Sequence, residues 1–144
     1  MLKIRFIYQG DDYNEDREIV SSAICKCLAE ELELPETIEI VFATMNESVY
    51  GNTLVNPRFK NRININNTLT FNEIPQVLVH ELIHLNQITT GRLSSTTNGR
   101  FKWDNREYNL DNHPNYDELP WEKDVVNRQQ ALLIKLAEKF NPSK

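Results

Sequence analysis

A single α+β domain, with a small mixed β-sheet packed on a central helix and flanked by an N-terminal and a C-terminal helix, is the fold class this sequence predicts. Residues 2–8 and 62–66 alternate apolar and polar side chains with the two-residue period of a strand that buries one face. Between and after them, residues 14–33, 73–89 and a segment starting at Pro120 carry apolar side chains at helical spacing. A length of 144 residues suits one domain, 1–144, with one core.

The first strand sets Leu2, Ile4, Phe6 and Tyr8 against Lys3 and Arg5. In the first helix, Ile19, Val20, Ala23, Ile24, Cys27, Leu28 and Leu32 follow helical spacing, and Pro35 ends it. Residues 37–43 (Thr-Ile-Glu-Ile-Val-Phe-Ala) are rich in β-branched types and read as a second strand, parallel to the first across that helix. Gly51-Asn52 and Asn56-Pro57 mark a turn-rich connection with short extended pieces, after which Arg62-Ile63-Asn64-Ile65-Asn66 forms a third strand.

Pro75 fixes where the central helix begins, because proline is tolerated only in the first turn, where backbone N–H groups lack intrahelical partners. Asn72 as N-cap satisfies this and Thr70 does not; Gly91 stops the helix. Ile74, Val77, Leu78, Val79, Leu82, Ile83, Leu85 and Ile88 cover nearly every side, as a buried helix requires. Residues 91–120 are polar and long for a connector, so they are expected to shape a cleft wall. Phe101-Lys102-Trp103, Asp104-Asn105 and Arg106-Glu107-Tyr108 can form a small hairpin there. The last helix starts at Pro120 and presents Trp121, Val125, Leu132, Leu133, Leu136 and Phe140 along one face.

Composition narrows the function classes. With 40% hydrophobic and 26% charged residues and a net charge of −5, the chain is an ordinary globular sequence without a generic polyanion-binding surface, so nucleic acid is not an expected partner. The N-terminus turns polar and acidic at Gln9-Gly10-Asp11-Asp12, unlike a signal peptide, and no apolar stretch approaches the roughly 20 residues of a membrane span. A soluble cytoplasmic protein with no membrane partner is expected. Cys25 and Cys27 diverge on one helix, so they read as reduced structural thiols, with Cys27 on the apolar face and Cys25 nearer the polar side.

The central helix contains His80-Glu81-Leu82-Ile83-His84, an H-E-x-x-H pattern. Residues four apart share a helix face, so both imidazoles can hold one Zn²⁺ while Glu81 projects toward a bound water. Unpaired polar groups buried in such a helix would cost several kcal/mol, roughly, and a metal satisfies all three. A catalytic zinc takes three protein ligands, and the downstream candidates are Glu122, His113, Asp117, Glu118, Glu107, Asp111 and Asp124. Glu122 ranks first because the first turn of a helix favours a carboxylate and holds it rigidly.

Together with the downstream Tyr116-Asp117-Glu118-Leu119-Pro120-Trp121-Glu122, the motif resembles the gluzincin metallopeptidases, especially short single-domain ones of minigluzincin or phage-encoded type. The resemblance spans roughly residues 60–130 and implies a zincin-like plan of strand, motif helix, loop and glutamate helix. It implies His80, His84 and Glu122 as metal ligands, and Glu81 as general base and acid in hydrolysis of a peptide or protein substrate, with endopeptidase action favoured over exopeptidase. Many larger gluzincins place an Asp four residues after the glutamate to orient a histidine ligand. Here that position is Val126, which leaves Asn127, Asp124 or a backbone carbonyl for the task. The resemblance also makes residues 62–66 an edge strand that pairs with extended substrate.

His113 supports an alternative, a three-histidine set similar to SprT-like proteins. Tyr116, with Tyr108 second, is the candidate donor to the oxyanion of the hydrolytic intermediate. A non-catalytic zinc-binding interaction domain and a metal-free helical core are the competing classes. Retention of Glu81, which a structural zinc site does not need, favours catalysis over the zinc-binding interaction domain. Substrate identity and oligomeric state are not encoded in any motif of the chain.

Overall fold

The computed structural model describes residues 2–9, 14–54, 61–95, 100–109 and 118–140. The chain is mixed α and β, with strands β1 (Lys3–Tyr8), β2 (Thr37–Ala43), β3 (Gly51–Leu54), β4 (Arg62–Asn66), β5 (Leu93–Ser95), β6 (Arg100–Trp103) and β7 (Arg106–Asn109). The helices are α1 (Glu15–Leu32), α2 (Ile74–Thr89) and α3 (Pro120–Phe140).

The larger sheet has the order β1-β2-β4-β3, with β1, β2 and β4 parallel and β3 antiparallel to β4. Ile38, Ile40, Phe42, Ile63 and Ile65 turn one face into the core, where they meet Ile24, Leu28 and Leu32 of α1 and Leu78, Leu82 and Ile83 of α2. Parallel β1 and β2 joined through α1 match the expectation for the opening of the chain. The third strand differs from its expectation. Residues 62–66 are interior, hydrogen-bonded to β2 on one side and β3 on the other, and the outer strand beside α2 is β3. The asparagines of β4 are spent internally. Asn64 Nδ2 donates to Asn52 Oδ1 at 2.8 Å, and buried Asn66 Nδ2 donates to the Val49 carbonyl at 2.8 Å.

Helix ends follow local chemistry. Asn14 caps α1, its side-chain oxygen accepting from Asp16 N at 2.9 Å and Arg17 N at 3.3 Å. Glu33, left-handed at φ 48°, closes it. The buried stripe of α1 is Ser21, Ile24, Cys25, Leu28 and Leu32, so Cys25 faces the core, Cys27 is half-buried and Ile19 is exposed. This reverses the expected placement of the two thiols. Apolar residues lie on two adjoining stripes of α1, and packing against α2 selects the one containing Ile24, Leu28 and Leu32.

The start of α2 also differs from expectation. A 3₁₀ turn, Phe71–Glu73, precedes it, and the Glu73 carboxylate accepts from Thr70 N at 2.9 Å and Thr70 Oγ1 at 2.8 Å. Thr70 therefore caps the entry in place of Asn72, and Pro75 still falls in the first α-helical turn because the 3₁₀ turn intervenes.

The second sheet, β5-β6-β7, is an antiparallel meander. Its β6–β7 hairpin turns at Asp104 and Asn105, both at positive φ (48° and 69°), as a two-residue primed turn demands. Trp103 and Leu93 of this sheet join Leu119 and Trp121 in a second apolar cluster, with Phe101 tilted against the Trp121 ring and Tyr108 edge-on to it. The segment expected to wall a cleft thus anchors the start of α3. On α3 itself Trp121, Val125, Leu132 and Leu136 are buried, whereas Phe140, expected on that face, is exposed near the end of the helix. Among the described residues no helix is long and apolar enough to cross a membrane.

Candidate metal centre

His80 and His84 lie one helical turn apart on α2, and their rings meet edge to face with centroids 5.0 Å apart. The second cluster presses the first turn of α3 against this face. Glu122, nearly fully buried, then reaches both rings: Oε1 is 3.4 Å from His80 Nε2, and Oε2 is 3.0 Å from His84 Nε2. One ligand atom from each of the three residues falls within 4.8 Å of the others, close enough to hold a metal ion. His84 Nε2 is buried, and the Glu122 carboxylate is the polar group beside it, as an ion-pair contact and not an assigned hydrogen bond. A buried ring nitrogen without a hydrogen-bond partner is the condition that a bound cation would relieve, and an N/N/O donor set suits a borderline divalent ion.

Glu81 stands beside this triad but outside it. Thr53 Oγ1 of β3 lies 2.9 Å from Glu81 Oε1 and 3.1 Å from the Glu81 carbonyl oxygen. Burial pushes the Glu81 carboxyl up from its ordinary value. His84, His80 and the Thr53 hydrogen bond pull the other way, and Glu122 adds to the rise. Burial by itself would lower the His84 imidazole, but the adjoining Glu122 and then Glu81 outweigh it and hold it above its ordinary value.

His80 and Glu81 open on a cleft of about 590 Å³, lined also by the run Ser48–Gly51, by Glu73, Gln76 and Val77 of the α2 side, and by Gln129 of α3. Gly51 sits where β3 crosses α2. A Cβ there would come 3.0 Å from the Asn64 carbonyl oxygen and 3.0 Å from Val77 Cγ1, so any larger residue would need its neighbours to give by a few tenths of an ångström.

Of the residues singled out from sequence, the fold brings His80, Glu81, His84 and Glu122 together. Tyr116 and His113 lie outside the described residues, as do Asp111 and Asp117. Tyr108 packs edge-on against Trp121 at 5.8 Å, next to the Glu122 turn. Asp124 does not touch a histidine. Gln87 does, with its Oε1 2.9 Å from His84 Nδ1, and Asp124 stands behind Gln87. Gln87 was not foreseen, although its position three residues after His84 places it on the same helix face.

No protein family, curated protein or solved structure matches this chain.

Proposed function

We propose that this chain is a zinc-dependent peptidase of gluzincin type, hydrolysing peptide bonds in an extended peptide or protein substrate. The observation that carries this reading is the convergence of His80, His84 and Glu122 around a shared point, with Glu81 left outside the ligand set beside an open cleft. Zinc bound there would lower the pKa of a water and polarise a substrate carbonyl.

The chain's own residues supply the remainder. Glu81, its Oε1 held by Thr53, is placed to take the proton of the attacking water and return it to the leaving amine. Outer strand β3, crossing α2 at Gly51, offers backbone groups to an extended peptide lying along the cleft. The half-exposed His80 borders that space, whereas His84 and Glu122 are sealed beneath.

Metal analysis and peptide cleavage test the reading. Purified protein should bind one zinc per chain. Glu81→Gln should retain the metal and lose cleavage of a peptide library by at least about 100-fold, the scale of a lost general base. Glu122→Ala should weaken zinc binding while His113→Ala leaves it unchanged. Loosening by His113→Ala alone would instead favour the three-histidine arrangement, and unchanged behaviour of Glu81→Gln would favour a non-catalytic metal domain.

A further inference from the structure

We propose that Gln87 is a positioning residue that fixes the proton of His84 on Nδ1 and thereby keeps Nε2 as a bare lone pair facing Glu122. Its purpose rests on the metal reading above; the proton's location does not.

The argument is one of donors and acceptors. Gln87 is fully buried, and its Nε2 lies 2.9 Å from the Trp121 carbonyl oxygen and 2.9 Å from Asp124 Oδ2. A backbone carbonyl cannot donate, and Asp124 Oδ2 is already the acceptor of Arg128 Nη1 at 2.9 Å. Arg128 is itself fixed from its other side by Asn86 Oδ1 at 2.9 Å. Both acceptors therefore require the NH₂ end of the Gln87 amide. Turning the amide over would set its oxygen against two oxygens.

The carbonyl end, Oε1, is left facing His84 Nδ1 at 2.9 Å, and an acceptor there demands an N–H. Whenever the ring is neutral its single proton is therefore the one on Nδ1, and Nε2 is bare. Glu122 Oε2 lies 3.0 Å from the buried His84 Nε2. Glu122 pulls in the opposite direction, because a carboxylate at Nε2 favours a proton there. Gln87 supplies the opposing restraint from α2, and Asp124 and Trp121 of α3 orient it.

Long-range ¹H–¹⁵N NMR of chelator-treated protein, at a pH alkaline enough for the ring to be neutral, reads the tautomer directly, with His84 assigned by single-histidine substitutions. The wild type should show the Nδ1–H form. Gln87→Met should move the proton to Nε2 and weaken Zn²⁺ binding about 10- to 100-fold. An Nε2–H ring in the wild type, or a Gln87→Met protein with unchanged tautomer and affinity, would overturn the proposal. Should Gln87→Met fail to fold, the wild-type spectrum still decides it. A wild-type Nδ1–H ring in a protein that takes up no zinc would sink the metal reading and leave this inference standing.

Discussion

Cys25 and Cys27 stand two positions apart on α1 with opposite chemical fates. Burial in the main core pushes the Cys25 thiol up to about 12 from an ordinary 9.0. Iodoacetamide at pH 8.5 should therefore label Cys27 in the native protein and reach Cys25 only after unfolding, which peptide mass mapping would check. The same shift has a stability consequence. Below the unfolded thiol's value both states hold the proton. As pH rises from 9.0 toward about 12 the unfolded chain loses it first, so the thiol's contribution to stability declines across that window. Chemical denaturation of wild type and Cys25→Ala at pH 8 and 10 should show a smaller difference between them at the higher pH. At Gly51 the issue is space. Gly51→Ala forces a Cβ against the Asn64 backbone and Val77, should cost about 1–3 kcal/mol in urea denaturation and, on the proposed peptidase reading, should raise the KM for peptide by displacing β3 from α2.

Caps and small clusters decide where the elements end and how they meet. Asn14 bonds two free amides at the start of α1, so Asn14→Ala should lower unfolding free energy by about 1 kcal/mol, with the metal site unaffected. The β5–β7 meander acts at longer range. It holds Leu119 and Trp121 through Trp103 and Leu93, and Arg92 ties it to α3 by lying 4.3 Å over the Trp103 ring and 3.7 Å from Asp124. Glu122 is the next residue after Trp121. Trp103→Ala should thus cost about 3–5 kcal/mol and also weaken zinc binding, although Trp103 is not among the grouped ligands. Isothermal titration with zinc at a temperature where the variant remains folded separates that loss from unfolding.

At the scale of the molecule, α2 is the shared wall. It packs against α1, α3, β3 and β4, and it carries two of the three clustered ligands. An ion bridging α2 and α3 binds only the folded chain, so zinc at 100 times its dissociation constant should add about 2.7 kcal/mol of stability. Differential scanning fluorimetry should show the melting temperature rising with zinc and falling again with a chelator. Glu122→Ala should flatten that response. A melting temperature indifferent to zinc in the wild type would count against a metal bridging the two helices.

The sequence by itself determined the elements whose signals are local: alternation in residues 2–8 and 62–66, the β-branched run 37–43, Pro75 and Pro120 at helix starts, and Asp104-Asn105 at a hairpin turn. His80, Glu81 and His84 were legible for the same reason, because a helix fixes what residues one turn apart can share. Glu122 was reachable only as one candidate among seven, since spacing along a chain does not say which carboxylate folds back. Tertiary structure decided the remainder. It made β4 interior and β3 the outer strand, because pairing partners are set by the whole sheet. It turned Cys25 inward, because two apolar stripes on α1 competed for one core. It also placed Gln87 behind His84, because an amide takes its orientation from acceptors 34 and 37 residues away in sequence. Local periodicity constrains a side chain's face, and only packing chooses its partner.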